Sequence, residues 1–409
     1  MLDAGVRDAG VREAGERDIR EGGADPGMLL LTGATGLLGM QVLARYLERT
    51  ERRVCALVRA DGREQAEERV EATLTTLFGR RHGHSDRVLA VPADIEAEGL
   101  GLDAHDRGRL AAAVSDVIHC AASVSFSLPL ERSRQINVAG TRRMLELAEL
   151  CRRQGGLRRF SYVSTAYVAG THAGEFSEDQ LEVGQGFRNP YERSKFEAEQ
   201  LVRSYRGRLP IQVFRPSIIV GERTTGWTVS FNVLYAPLKA FARGAYVALP
   251  GRRSAPVDVV PVDYVADAVF ELANRPADGG EDTYHLVAGP SASSVGRLLD
   301  LSARYFRRRP PRLLPPGVYR RLLHPLLVLT SRGKRRSALR RSEAYFPYFA
   351  TRVRYDNRRA RRHLVPAGID TTPIERYFDQ LANFAVRTRW GRLDAPRARG
   401  RRASGAEPG

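Results

Sequence analysis

The chain has 409 residues, 43% apolar and 27% charged, with 38 Gly and 22 Pro. That is ordinary globular composition with length for a large core, and it excludes a collagen-like, disulfide-scaffold or wholly disordered chain. The net charge of +18 resides in residues 301–409, where 27 basic and 7 acidic side chains give +20. Lysine occurs only as Lys195, Lys239 and Lys334; every other fixed cation is Arg. Cys55, Cys120 and Cys151 each lie in an apolar run, which reads as small buried hydrophobes in a reducing compartment, not a disulfide or zinc set. No apolar stretch reaches the roughly 18 residues of a membrane span, so no transmembrane segment is expected.

Residues 3–17 read DAGVR-DAGVR-EAGER, with a Gly every fifth residue and almost no apolar side chains. Such a repeat has no core to bury, so residues 1–27 are expected to form a disordered leader. It lacks the basic start and apolar stretch of a signal peptide. From Met28 the pattern alternates. Short apolar runs at 28–32, 53–58, 87–91, 114–119, 158–164 and 210–215 read as buried parallel strands. Helical stretches at 37–50, 62–78, 103–113, 131–154 and 190–206 lie between them. This alternation predicts an α/β fold, a doubly wound parallel sheet with right-handed crossovers. After 216, Gly- and Pro-rich loops predict a small substrate lobe drawn mainly from 217–300, closing a nucleotide-binding domain of 28–290. Residues 301–390 read as a basic helical extension ending in a helix near 372–388, and 391–409 as a disordered tail.

Thr32-Gly33-Ala34-Thr35-Gly36-Leu37-Leu38-Gly39 joins the first strand to the first helix. Glycines at 33, 36 and 39 give a variant dinucleotide fingerprint: one for the tight turn, one for approach of the pyrophosphate, one for helix–strand packing. The helix N-terminus adds free N–H groups and a positive dipole end. Gly33, Thr35, Gly36, Leu37, Leu38 and Gly39 are therefore candidate cofactor contacts. Arg59 ends the second strand where an acidic residue would hold a ribose 2′-hydroxyl, which favours NADPH over NADH through a 2′-phosphate contact. Asp94 and Ile95 follow the third strand, at the expected adenine edge. Cys120, Ala121 and Ala122 end the fourth with small residues where a cofactor passes close to backbone.

Tyr191 and Lys195 are spaced to share one helix face. An ammonium there is expected to lower the phenol's reference pKa of about 10 and to reach the nicotinamide ribose. Ser164 and Thr165 end the fifth strand, where a hydroxyl can steady the oxygen of a reacting carbonyl. With the glycine loop, this set resembles the short-chain dehydrogenase/reductase superfamily in its extended form. The segments 119–126 (HCAASVSF), 163–168 (VSTAYV), 221–227 (GERTTGW) and 258–265 (DVVPVDYV) look like its thioester-reductase and fatty acyl-CoA reductase ("male sterility") branch. The resemblance implies that Thr165, Tyr191 and Lys195 are catalytic. It implies that Asn137 supports the lysine and that Arg215-Pro216-Ser217 lies beside the nicotinamide, with Pro216 and Ser217 as cofactor contacts. It further implies NADPH-dependent reduction of an acyl-CoA or acyl-carrier-protein thioester to an aldehyde, or onward to an alcohol.

Two alternatives share these motifs. One is another extended-family dehydrogenase or epimerase of sugar-nucleotide or hydroxysteroid type; Arg59 disfavours the sugar-nucleotide enzymes. The other is an NADP-sensing module, which typically lacks the Tyr or the Lys. The +20 region has no helix-turn-helix, zinc or base-stacking pattern, so no nucleic acid is expected. Its charge suits an anionic thioester carrier or peripheral contact with an anionic membrane, within an otherwise cytoplasmic setting.

Overall fold

The computed structural model describes residues 27–231, 233–276, 282–323 and 343–397, with isolated positions between 324 and 342. Residues 1–26 of the expected leader 1–27, the Arg-rich stretch 334–342 and residues 398–409 of the expected tail 391–409 lie outside these residues.

A seven-stranded sheet forms the centre, in the order β12-β7-β5-β4-β1-β2-β3 with every neighbouring pair parallel. The strands are β1 (Met28–Thr32), β2 (Val54–Val58), β3 (Val88–Pro92), β4 (Val114–His119), β5 (Arg159–Val163), β7 (Ile211–Pro216) and β12 (Thr283–Leu286). The first six match the expected runs to within a residue at each end. β12 was not expected. It pairs with β7 at the edge, beyond the point where the sequence alternation breaks.

Alternate strand residues feed two cores. Leu29, Leu31, Val54 and Ala56 face the layer of α1 (Leu37–Arg49) and α8 (Val262–Asn274), while Leu30, Cys55 and Leu57 face α5 (Gly140–Gln154) and α6 (Pro190–Ser204). The period of two, with both faces covered, is why these runs are apolar throughout. Cys55 and Cys151 are buried free thiols whose pKa burial pushes up to about 12. The helix expected at 131–154 comes in three parts: α4 (Leu130–Arg134), a π-helical turn at Gln135–Ala139, and α5. At the start of α5, Thr141 Oγ1 donates back to the Asn137 carbonyl of that turn at 2.6 Å.

The lobe is built from short strand pairs and helices. β8 (Ile218–Val220) pairs with β11 (Val259–Pro261), and β9 (Ala248–Pro250) with β14 (Arg312–Leu314). α7 (Tyr235–Ala242), α9 (Val295–Phe306) and α11 (Phe378–Arg387) enclose a core containing Tyr235, Leu238, Leu301, Phe378 and Leu381.

The described part of 301–390 is woven into both the lobe and the main domain, not appended as a helical extension. β15 (Arg352–Tyr355) pairs with β6 (Ala173–Phe176), burying Val353 and Tyr355 while Arg352 and Arg354 face outward. In α10 (Arg358–Leu364), Ala360 and Leu364 are buried and Arg358 and Arg362 exposed. Arginine at alternate or helical spacing leaves an apolar face that the charge count conceals. Residues 391–397, expected to be disordered, are held to the body. Ala395 accepts a hydrogen bond from Trp227 Nε1 at 2.9 Å, and Arg397 Nε donates to Glu222 at 2.6 Å. No helix of the described residues is long and apolar enough to cross a membrane.

Candidate active site

The C-terminal ends of β1, β4, β5 and β7 open onto one cleft of about 450 Å³. That is where a doubly wound sheet reverses strand order and binds its ligands. Gly33, Thr35, Gly36, Leu37, Leu38, Gly39, Cys120, Ala122, Ser164, Thr165, Tyr191, Lys195, Pro216 and Ser217 all line it. Among the expected residues, Arg59, Asp94, Ile95, Ala121 and Asn137 do not. Arg59 is exposed just beyond β2. Asp94 caps its own turn by accepting from Glu96 N at 2.9 Å, and the Ile95 carbonyl accepts from Arg143. Ala121 N donates to Thr32 Oγ1 at 3.1 Å, closing the floor beside the glycine loop.

The loop fits a dinucleotide. A Cβ on Gly39 would lie 2.0 Å from the Gly33 carbonyl oxygen. Gly33 has φ +72° and sits against the Ala121 backbone, 2.9 Å from where its own Cβ would be. Gly36 caps α1 without a side-chain hydrogen bond, leaving that helix end for an anion. The backbone cradle required for a pyrophosphate is present.

Asn189 caps α6 by accepting from Glu192 N, with Pro190 in the first turn, and this helix carries Tyr191 and Lys195 to the cleft. Thr165 lines the same cleft as Tyr191, and its hydroxyl donates to the Pro216 carbonyl at 3.4 Å. Burial pushes the Tyr191 phenol up to about 12, against the lowering effect of Thr165. Lys195 was expected to lower it. Instead Lys195 Nζ donates to Tyr162 Oη at 2.7 Å and to the Val163 carbonyl at 2.9 Å. Burial brings the Lys195 ammonium down to about 7, with Glu199 pushing back.

Three supporting residues differ from their expected contacts. Asn137 bonds Ser123 through backbone N and O and Ser194 Oγ, not Lys195. It therefore ties the 120s loop to the catalytic helix. Ser164 Oγ donates to Glu199 at 2.6 Å, beneath the cleft wall. Arg215 lies wholly inside, paired with Glu199 at 2.6 Å, while Pro216 and Ser217 line the cleft.

Sequence reasoning missed Tyr162 and Tyr348. Tyr162 lies within a strand run that reads simply as core. Tyr348 donates to Glu192 Oε1 at 2.7 Å and accepts from Asn189 Nδ2 at 2.6 Å, so it clamps the start of the catalytic helix from the distant C-terminal segment. No local pattern marks it.

This fold and site define an NAD(P)-binding oxidoreductase of the extended short-chain dehydrogenase/reductase superfamily. The model of the family described as "Male sterility protein" matches residues 31–269, and the chain belongs to that family. It is 30% identical over 285 residues to the nonribosomal peptide synthetase asaC of Aspergillus flavus, covering 64% of this chain and 26% of that protein. It is 30% identical over 288 residues to fatty acyl-CoA reductase 1 of Mus musculus, covering 61% of this chain and 55% of that one. It thus spans less than two thirds of either relative. Among solved structures, the terminal R domain from the myxalamid PKS-NRPS biosynthetic pathway superposes with TM-score 0.75 at 27% identity, covering 90% of this chain and 92% of that one.

Proposed function

We propose that this protein reduces an acyl thioester, carried by CoA or a carrier protein, to an aldehyde with NADPH. The observation that carries the reading is the meeting of Thr165, Tyr191 and Lys195 in the cleft that begins at the glycine loop. Bound there, the nicotinamide supplies the hydride that reaches the thioester carbonyl carbon. The Thr165 and Tyr191 hydroxyls together hold the carbonyl oxygen, and Tyr191, a neutral phenol, gives it a proton as charge develops. Return of that proton to Tyr191 as the carbon–sulfur bond breaks yields the aldehyde and a thiolate, which takes up a proton from water to give the thiol. Lys195 steadies the transient phenolate and, reoriented from Tyr162, reaches a ribose hydroxyl. Other dehydrogenase chemistry at this site is the second reading. The discriminating experiment follows NADPH oxidation with a panel of acyl-CoA and acyl-carrier thioesters; oxidation with none of them overturns the proposal.

Arg59 carries the cofactor preference. Purified protein is expected to bind NADPH at least tenfold tighter than NADH, an ordinary margin for a charge-assisted phosphate contact. Arg59→Ala should bring the two affinities together, as titration calorimetry reads directly. Equal affinities in the parent protein would exclude the contact.

The lowered pKa of Lys195 sets a pH dependence. A base depressed to about 7 loses its cation as pH rises through that value. Because the unfolded chain keeps that proton up to about 10.4, this group makes stability rise, not fall, with pH between those values. Activity runs the other way. The kcat/KM is expected to decline above about pH 7 with the slope of one proton, and Lys195→Met should lack that limb. A flat profile from pH 6 to 9 would remove Lys195 from the mechanism.

A further inference from the structure

A second cavity, of about 90 Å³, lies in the lobe and shares Ile218, Val233 and Tyr348 with the reaction cleft. Its walls include Leu238 and Phe241 of α7, Leu298 and Leu299 of α9, Phe349 and Phe378. No lining residue carries a charge. Ser302 is the single non-aromatic polar side chain among them, and its hydroxyl already donates to the Leu298 carbonyl at 2.7 Å. Tyr348 on the shared wall has its hydroxyl committed to Glu192 and Asn189. Its ring is held by Phe126, stacked at 5.4 Å, by Tyr167, edge-on at 5.3 Å, and by the Arg188 guanidinium at 5.6 Å. That wall is braced on several sides and does not behave as a free lid.

We propose that this chamber receives the hydrocarbon end of the acyl group, so the enzyme selects uncharged aliphatic acyl thioesters over aminoacyl or peptidyl ones. The inference rests on the thioester reading given above. A thioester has two arms beyond the carbonyl held at Thr165 and Tyr191. The pantetheine arm is polar and leads to its carrier, whereas the acyl arm meets a chamber without a charged group, in which Ser302 and Tyr348 are already engaged and the other polar side chains are the phenols Tyr246 and Tyr345. An α-ammonium or peptide amide entering it would lose its water and find no carboxylate to pair with, only phenol oxygens. Each methylene that enters is worth about fourfold in affinity from apolar burial alone.

The test separates binding from turnover by using S-alkyl-pantetheines, thioethers that cannot be reduced, titrated into the protein loaded with NADP⁺. Affinity is expected to rise about fourfold per methylene from ethyl upward and then level off when the chamber is full. Leu298→Trp, at a half-buried position, should weaken the longest thioether at least tenfold and leave the ethyl compound unchanged. Phe241→Leu, which enlarges the chamber, should move the levelling point to longer chains; it serves as the second test if the Trp variant does not fold. A β-ammonium analogue should bind at least tenfold more weakly than its uncharged counterpart. Affinity independent of chain length, or indifferent to that ammonium, overturns the chamber. Length-dependent binding together with failure to reduce any matching thioester would instead leave the chamber standing and overturn the thioester reading.

Discussion

Tyr191→Phe is expected to lower kcat for thioester reduction by about 10²–10⁴-fold, the range for loss of a positioned acid, with NADPH affinity unchanged. The substitution removes one oxygen from a ring held against Phe126 at 5.7 Å, so the fold has little reason to respond. What disappears is the proton donor and one of the two cleft hydroxyls, the other being Thr165, that hold the carbonyl oxygen. Thr165 alone can still accept or donate one hydrogen bond, so residual turnover comes from positioning. Lys195→Ala should behave differently, weakening both turnover and NADPH binding, because its ammonium is placed to serve cofactor and phenol together. Stopped-flow reduction with NADPH fluorescence titration separates the two. If Tyr191→Phe keeps most of the parent kcat, the acid lies elsewhere in the cleft.

How legible this was depended on whether the signal was local. The glycine loop, the strand ends and the Tyr191–Lys195 spacing each occupy a few consecutive residues, and period-two or period-3.6 reasoning placed them nearly to the residue. Tyr348, Tyr162 and the Arg215–Glu199 pair escaped for a different reason. Each gains its role from a partner on another element, such as Glu192 for Tyr348, and nothing in its own neighbourhood records that partner. The region after 301 misled through composition. Arg352 and Arg354 alternate with buried Val353 and Tyr355, so a stretch that counts as solvated charge forms a strand of the body. Lys195 shows a subtler limit. The sequence placed it beside Tyr191, but the buried polar group it engages in this structure is Tyr162.

Glu199→Ala is expected to destabilise the protein by about 3–5 kcal/mol, the usual cost of leaving a buried charge unpaired. Arg215 is 0% exposed, and its guanidinium meets Glu199 through Nε at 3.1 Å and Nη2 at 2.6 Å. Burial alone would push the Glu199 carboxyl up, but Arg215, Arg203 and Ser164 outweigh it and hold the group below its ordinary range. Removing the carboxylate strands Arg215, whose remaining partners are the Glu178 and Gln180 carbonyls and His285, and leaves Ser164 Oγ without its acceptor. Arg215→Met should cost less, because Glu199 keeps Arg203 at 3.1 Å and Ser164 at 2.6 Å. The double replacement Glu199→Leu with Arg215→Met removes both charges and should recover part of the loss, a coupling that urea unfolding of the full cycle measures. Glu199 also lies one helical turn beyond Lys195 and is the main charge holding its pKa up. Glu199→Gln, which keeps the shape, should therefore move the basic limb of kcat/KM below pH 7, a change that a purely structural role would not produce. If Glu199→Ala costs under about 1 kcal/mol, the pair is not the fastening of the catalytic helix to β7 that its geometry describes.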